Sequence, residues 1–242
     1  MKPIRRIPSS DDYLVKCQGL FKNVRQRPRA VGIDDGPSTR NGMVKSRNNR
    51  ASLVAVWFDR LRFDGVRIGA VQVDGLDSTD VILRLLKRTR TDVIFLSGAS
   101  FAGFNIADSK RLHNTLHIPI IVISREEPDN ASVKRALKKH FIDWKTRWEL
   151  IRRLGRIHAF APKPSEQPLH FESIGISAAH ATRIIRAYCI TSRVPEPIRV
   201  AGIMAKGLRL AGSELPACRH EVGNAELQRL KVQYREKARR RF

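Results

Sequence analysis

The chain has 242 residues, of which 42% are hydrophobic, and its 46 Lys and Arg outnumber its 23 Asp and Glu to give a formal charge of +23. This length allows one domain with appendages, and the charge favours a polyanion, so nucleic acid is the expected partner. Three widely separated cysteines exclude a disulfide framework and a Cys-rich zinc module, and the apolar runs are too short to span a membrane, so we expect a cytoplasmic protein with no membrane partner.

The two ends of the chain are strongly basic. Residues 1–29 hold eight Lys or Arg against two Asp, and residues 213–242 end in three arginines before Phe242. We therefore predict a basic N-terminal extension and a basic C-terminal tail around one domain of residues 30–212. Each arm is either a solvated segment or a segment that follows a phosphate backbone. The arginines expected to contact nucleic acid are Arg25, Arg27, Arg29, Arg239, Arg240 and Arg241.

Three β-strands are predicted at the start of the domain. Residues 30–37, 51–58 and 65–73 are rich in β-branched and apolar side chains, and Gly, Pro and Asp punctuate the sequence around them. Three strands in succession with short connections predict an antiparallel meander.

The pattern then changes to helices that alternate with short apolar strands. A helix predicted from Asp77 to about Arg90 is followed by an apolar strand at Val93–Leu96. A second helix, predicted over residues 107–117, is followed by another apolar strand at residues 119–123. Continuous apolar strands are typical of strands that are buried on both faces. The remaining helices are predicted at residues 130–141, 143–154, 177–188 and 198–210, and a proline-rich connection at residues 162–168.

This order of elements is that of a ribonuclease H-like α/β fold. The sheet is expected to be mixed, with three antiparallel strands followed by two parallel strands, and helices are expected to flank it. A fold name says little about function by itself, so function must come from the residues of a site.

Acidic residues are predicted to gather at the ends of the central strands. Asp34 and Asp35 lie on the first strand, and Asp74, Asp77 and Asp80 lie where the third strand gives way to a helix. Clustered carboxylates suit Mg²⁺ or Mn²⁺, because hard cations prefer oxygen ligands, and two such ions can assist phosphodiester hydrolysis. We predict Asp34, Asp35 and Asp77 as metal ligands.

The predicted ligands are not equally well supported. Asp77 and Asp80 also fit the N-terminal cap and acidic first turn of a helix, so Asp77 is either a cap or a ligand. Asp34 lies in an otherwise apolar strand, where a carboxylate needs a partner or a metal. Because successive side chains of a strand point to opposite faces, only one of Asp34 and Asp35 is expected to face a given site.

Several blocks of the sequence resemble an archaeal protein family related to endonuclease V. The resemblance covers residues 30–210. Its blocks are VGIDDGP at 31–37, VDGLDST at 73–79, FAGFNI at 101–106, the segment of residues 140–151, and PEPIR at 195–199.

The resemblance implies a metal-dependent nuclease site on a ribonuclease H-like core. Endonuclease V enzymes cut nucleic acid near deaminated bases such as inosine, with Mg²⁺ held by acidic residues. Asp34 resembles the first of these acids, Asp77 loosely matches the second, and Arg125 stands where an active-site Lys is expected. A third Asp is expected after the strand Val93–Leu96, where this sequence has Ser97, and a neutral hydroxyl replaces a carboxylate poorly.

The loop after Ser97 is a candidate nucleic-acid contact. Phe101 and Phe104 flank a glycine there and precede Asn105. Aromatic rings in a loop can stack on bases, and the alternative is that both rings pack in the core.

Three functions remain compatible with these features. The first is a nucleic-acid-binding protein on an endonuclease V-like scaffold with a degenerate metal site. The second is an active Mg²⁺-dependent endonuclease that acts on deaminated or structured nucleic acid. The third is a basic structural component of a ribonucleoprotein, in which the arms do the binding.

Overall fold

The structure, a computed structural model, describes residues 28–35, 49–162 and 166–210. Most of the predicted N-terminal extension and all of the predicted C-terminal tail, including Arg25, Arg27 and the three arginines at 239–241, lie outside the described residues. The strands are β1 Arg29–Asp34, β2 Arg50–Asp59, β3 Arg62–Gln72, β4 Val93–Leu96, β5 Ser100–Phe101, β6 Asn105–Ile106, β7 Ile120–Ser124, β8 His158–Phe160 and β9 Leu169–Ile174. The helices are α1 Ser78–Leu86, α2 Ser109–Leu116, α3 Asn130–His140, α4 Trp144–Arg152, α5 Ala178–Tyr188 and α6 Glu196–Leu210.

Seven of the strands form one mixed sheet, in the order β3-β2-β1-β4-β7-β9-β8. The predicted meander is confirmed, because β1 pairs antiparallel with β2, and β2 with β3. The two apolar strands β4 and β7 run parallel to β1, also as predicted. The antiparallel strands β9 and β8 extend the sheet beyond β7; they lie on either side of the predicted connection at residues 162–168 and were not themselves predicted.

The two faces of the sheet carry separate hydrophobic cores. Alternate side chains of one strand enter opposite cores: Val31 and Ile33 pack on the face covered by α1 and α2, and Ala30 packs on the face covered by α5 and α6. The central strands are thus covered on both sides, which explains their continuous apolar sequence.

Helix α6 packs on β1 with almost no space between the two backbones. A β-carbon on Gly32 would lie 2.2–2.4 Å from the main-chain atoms of Pro197 and Ile198. Only glycine allows this approach, which brings the helix across the centre of the sheet, next to the end of β1.

Helices α3 and α4 form an antiparallel hairpin that lies on the surface. On α3 only Leu137 is buried, and on α4 only Arg147. The hairpin therefore packs mainly on itself and presents most of both helices to solvent.

Within the described ranges, no helix is both long and apolar enough to cross a membrane.

Candidate functional site

Asp34 and Asp35 form a carboxyl pair at the end of β1. Asp34 is the last residue of the strand and is 6% exposed, and its side chain is in hydrogen-bonding contact with that of Asp35. The expectation that only one of the two acids faces a given site is therefore wrong. The strand ends at Asp34, so the alternation of side chains between faces does not extend to Asp35.

The environment of the pair favours protonation of Asp35. Burial and, to a smaller extent, the neighbouring charge of Asp34 raise the pKa of Asp35 to about 6, although a hydrogen bond from the backbone N–H of Ala102 acts in the opposite direction. Asp35 is therefore mostly protonated below about pH 6.

Ser97 lies beside Asp34 on the neighbouring strand. Ile33 pairs with Leu96 in the parallel ladder between β1 and β4, and the N–H of Ser97 donates to the carbonyl of Ile33 at 3.0 Å. The next residues along the two strands, Asp34 and Ser97, are consequently neighbours. The position at which the family resemblance expects a carboxylate is thus adjacent to Asp34, and it holds a hydroxyl.

Gly202 of α6 covers Asp34 from the other side. A β-carbon at this position would lie 2.5 Å from Oδ2 of Asp34. This contact depends on how α6 crosses β1. The sequence holds no local signal of it except the glycine itself, so it was not predicted.

Asp77 is held by the protein rather than facing the Asp34 pair. Its Oδ1 accepts hydrogen bonds from the backbone N–H of Gln72 at 3.0 Å and from Nδ2 of Asn105 at 2.7 Å. Its Oδ2 lies 3.7 Å from a guanidinium nitrogen of Arg50. Although Asp77 precedes α1, its side chain makes no capping hydrogen bond with that helix. The cap alternative is therefore wrong, and the ligand alternative stays a prediction for a side chain that joins β3, Arg50 and Asn105.

Asn105 caps α1 in place of Asp77. It is fully buried, and its Oδ1 accepts from the backbone N–H of Ser78 at 3.0 Å, while its Nδ2 also donates to the carbonyl of Gln72 at 2.8 Å. This side chain is used in full by the fold, so it presents nothing to a nucleic acid in this conformation.

The other acids near α1 also have local partners. Oδ1 of Asp74 accepts from the backbone N–H of Phe104 at 2.8 Å, and Asp80 forms an exposed ion pair with Arg111 at 2.7 Å. These carboxylates organise loops and helix ends and do not join the pair at the end of β1.

The aromatic loop residues favour the core-packing alternative. Phe101 is 1% exposed, and Phe104 packs edge-to-face on Phe141 with ring centroids 5.4 Å apart. Arg125 is exposed beyond the end of β7, and Arg29 is ion-paired with Asp64.

Arg147 is a buried cation that the sequence analysis did not select. Its Nε donates to Asp143 at 2.9 Å, and its Nη1 donates to the carbonyls of Gly75 at 2.9 Å and Phe104 at 2.7 Å. It ties α4 to the turn after β3 and to the β5–β6 loop. The only local signal is the i, i+4 spacing of Asp143 and Arg147.

Glu172 on β9 is a second buried ionisable group. It is 5% exposed, and burial raises its pKa to about 7. Its Oε2 makes no hydrogen bond in the structure. The sequence predicts no strand here, so it gives no sign that this side chain is buried.

The residues described by the structure do not fit the metal site that the sequence predicts. Among them, no group of three or more His, Cys, Asp or Glu is placed to hold a metal ion. Asp34 and Asp35 come together, but Asp77 is engaged elsewhere and Ser97 adds no charge. The catalytic roles expected for Asp34, Asp77 and Arg125 stay predictions.

A family model described as endonuclease dU matches residues 26–209 of this chain. The UPF0215 protein of Methanothermobacter thermautotrophicus is 37% identical over 197 residues, which cover 80% of this chain and 93% of that protein. The UPF0215 protein of Pyrococcus furiosus is 35% identical over 197 residues, which cover 78% and 96% respectively.

Solved structures with the same fold include a protein of unknown function from Archaeoglobus fulgidus. It matches with a TM-score of 0.64 at 24% identity, over 74% of this chain and 97% of that chain. Endonuclease V of Ciona intestinalis, in complex with a 24-mer DNA that contains an inosine followed by a ribo-adenosine, matches with a TM-score of 0.51 at 15% identity, over 84% and 98%. The predicted ribonuclease H-like α/β fold is thereby confirmed.

Proposed function

Because this chain belongs to the endonuclease dU family, we propose that it is a nucleic-acid-binding protein on an endonuclease V-like scaffold whose metal site is degenerate. The predicted relation to an archaeal family similar to endonuclease V is confirmed. The fold and the family are those of proteins that act on nucleic acid, and the charge of +23 suits that partner.

The proposal that the metal site is degenerate rests on the position of Ser97 beside Asp34. A divalent cation bound at the end of β1 needs oxygen ligands that are charged and convergent. The structure brings together two carboxyl groups, those of Asp34 and Asp35, and burial favours a proton on one of them. With a hydroxyl on the neighbouring strand, the negative charge available to a cation is smaller than a three-carboxylate site would give.

The base that the protein recognises is proposed from the family description. The term dU denotes deoxyuridine, which is the product of cytosine deamination in DNA, and the Ciona intestinalis relative in fold was solved on DNA that contains inosine, another deaminated nucleoside. We therefore propose a strand with a deaminated base as the preferred ligand.

An active endonuclease is the second candidate, and the Asp34–Asp35 pair favours it. Two adjacent carboxyl groups at the end of a central strand persist in the structure although their burial is unfavourable for their charge. If a divalent ion binds there, Asp34 and Asp35 would hold it, and such an ion would supply Lewis-acid stabilisation to a phosphodiester.

The two candidates are separated by a combined binding and cleavage assay. The full chain is incubated with labelled single- and double-stranded DNA that contains dU, inosine or neither, with Mg²⁺ or Mn²⁺, beside an Asp34→Asn control. The proposal expects salt-sensitive binding that is tighter for a deaminated strand, without cleavage. Cleavage that disappears in the Asp34→Asn variant would establish the endonuclease instead.

A Ser97→Asp variant tests the degenerate site directly. If the hydroxyl is what weakens the site, this variant binds Mn²⁺ at least about tenfold more tightly than the wild type, since it adds a charged oxygen ligand. An unchanged Mn²⁺ titration would show that Ser97 is not the missing ligand.

A further inference from the structure

The surface of the α3–α4 hairpin carries lysines that no carboxylate neutralises. Lys134, Lys138 and Lys139 on α3 and Lys145 on α4 form no ion pair with any acidic residue of the described chain. The other cations of α4 and its C-terminal end have acidic partners, because Arg147 pairs with Asp143, and Arg152 and Arg153 share the single carboxylate of Glu149. These four lysines, together with Arg135 of α3, which donates to the neutral hydroxyl of Ser132, give the hairpin a net positive charge.

Two tryptophans hold three of these lysines in place. The Nζ of Lys134 lies 5.1 Å from the centroid of the Trp148 ring, and that of Lys138 lies 4.9 Å from the Trp144 ring. Lys145 approaches the same Trp144 ring at 6.0 Å. Lys134 and Lys138 are one turn apart, so they lie on one face of α3 with their β-carbons about 5–6 Å apart.

This arrangement reduces the cost of binding a polyanion. A free lysine side chain loses much rotamer entropy when it is immobilised on a ligand, and a cation–π contact restricts the chain beforehand. Lys138 and Lys145, which share the Trp144 ring, are thus restricted before a ligand binds, and Lys139 lies next to them on the exposed face of α3.

An apolar residue stands at the tip of the same surface. Ile142, between the two helices, is fully exposed, although its neighbours Phe141 and Trp144 are partly covered. An exposed aliphatic side chain beside cations suits a partner that offers both phosphates and apolar base or sugar surface.

We propose that the α3–α4 hairpin is the surface on which this protein docks nucleic acid, with Lys138, Lys139 and Lys145 on the phosphates and Ile142 against a base or sugar. This inference rests on the proposed nucleic-acid function and locates it on the molecule. The charge of the four lysines and the low burial of both helices are the observations that support this inference.

The test compares two triple variants of the full chain on a fluorescent 20-nucleotide oligothymidine, by anisotropy at several salt concentrations. One variant changes Lys138, Lys139 and Lys145 to Gln. The matched control removes three equally exposed charges elsewhere, by changing Arg62, Lys87 and Arg90 to Gln. Both variants lose the same net charge, so general electrostatics affects them alike.

The hairpin variant is expected to lose affinity and salt dependence together. Each lost phosphate contact lowers the slope of log affinity against log salt by about 0.7 on a single strand, so three contacts lower it by about 2 and weaken binding about 100-fold at 0.1 M salt. The control is expected to change the affinity less than about threefold. Equal losses in both variants would overturn the proposal for the hairpin, whereas no salt-sensitive binding by the wild type would overturn the proposed function itself.

An uncharged change separates the apolar contact from the charge. Ile142→Asn should weaken binding with an unchanged salt slope, because it removes no phosphate contact, while Ile203→Asn, at an exposed position on α6, should leave binding unchanged. Equal effects of the two changes would remove Ile142 from the docking surface.

Discussion

Replacement of Gly32 by alanine should destabilise the protein more than any ordinary strand substitution. The added β-carbon would lie 2.2 Å from the carbonyl carbon of Pro197 and 2.4 Å from the backbone nitrogen of Ile198. Backbone atoms at the start of a helix cannot rotate away as the end of a side chain can. The whole of α6 must shift from β1, or β1 must shift within the sheet.

The size of the effect follows from the packing of this region. Overpacking of a close-packed core costs about 1–3 kcal/mol, and a clash with backbone belongs at the upper end of this range. For a domain of this size, 1 kcal/mol lowers Tm by about 2–4 °C, so a loss of about 3 kcal/mol lowers Tm by about 6–12 °C.

Thermal and urea unfolding of two alanine variants measure this effect. Gly65 on β3 is the control, since a β-carbon there has no atom within 4 Å. Gly65→Ala should leave stability unchanged or raise it slightly, because glycine in a strand costs conformational entropy. If Gly32→Ala unfolds within about 0.5 kcal/mol of the control, α6 does not lie against β1 as described, and the cover over Asp34 is also in doubt.

Three further changes test other parts of the structure. Arg147→Met should cost about 3 kcal/mol in urea unfolding, because it leaves the part-buried carbonyls of Gly75 and Phe104 without their donor, whereas Arg152→Met, at an exposed ion pair, should leave the unfolding midpoint nearly unchanged. Similar losses for the two variants would contradict the buried role of Arg147. The pKa of Glu172 is raised to about 7 from an ordinary 4.5, so the folded state binds this proton more tightly than the unfolded state and stability falls as pH rises from about 4.5 to 7. Glu172→Gln should therefore be as stable as the wild type near pH 4 and more stable at pH 8, by up to about 3 kcal/mol. Parallel profiles of stability against pH for the two proteins would refute this. In α6, a β-carbon at Gly207 has open space, so Gly207→Ala should raise the stability of the protein by up to about 1 kcal/mol. Gly202→Ala should lose that gain, because its β-carbon would meet the carboxylate of Asp34. Equal Tm values for the two variants would contradict this contact.

The element order of the fold could be predicted from the sequence, because its signals are local. Apolar alternation and continuous apolar runs identify β1 to β4 and β7, and these strands have the predicted pairing. Strands β8 and β9 were not predicted, since one has three residues and the other carries His170, Glu172 and Ser173 near several prolines. The pairing of β9 with β7 and of β8 with β9, rather than any periodicity of their own, makes them strands.

The candidate site was less accessible, because its contacts join distant segments. Asp34 was selected correctly as a buried carboxyl group on a central strand. Asn105 accepts a hydrogen bond from the backbone N–H of Ser78 and donates one to Asp77, and these bonds, like the contact of Gly202 with Asp34, depend on how whole elements pack. A single sequence gives residue types and local order but not these long-range side-chain contacts.

The contact between Gly32 and Pro197 also has a consequence for the order in which the chain folds. The two residues are about 165 positions apart, so loop closure between them is among the slow, entropically costly steps of folding. During synthesis the ribosome releases β1 long before α6 emerges. On a nascent chain, α6 therefore does not yet cover Asp34. Any binding or chemistry at the end of β1 begins only after almost the whole described domain has left the ribosome.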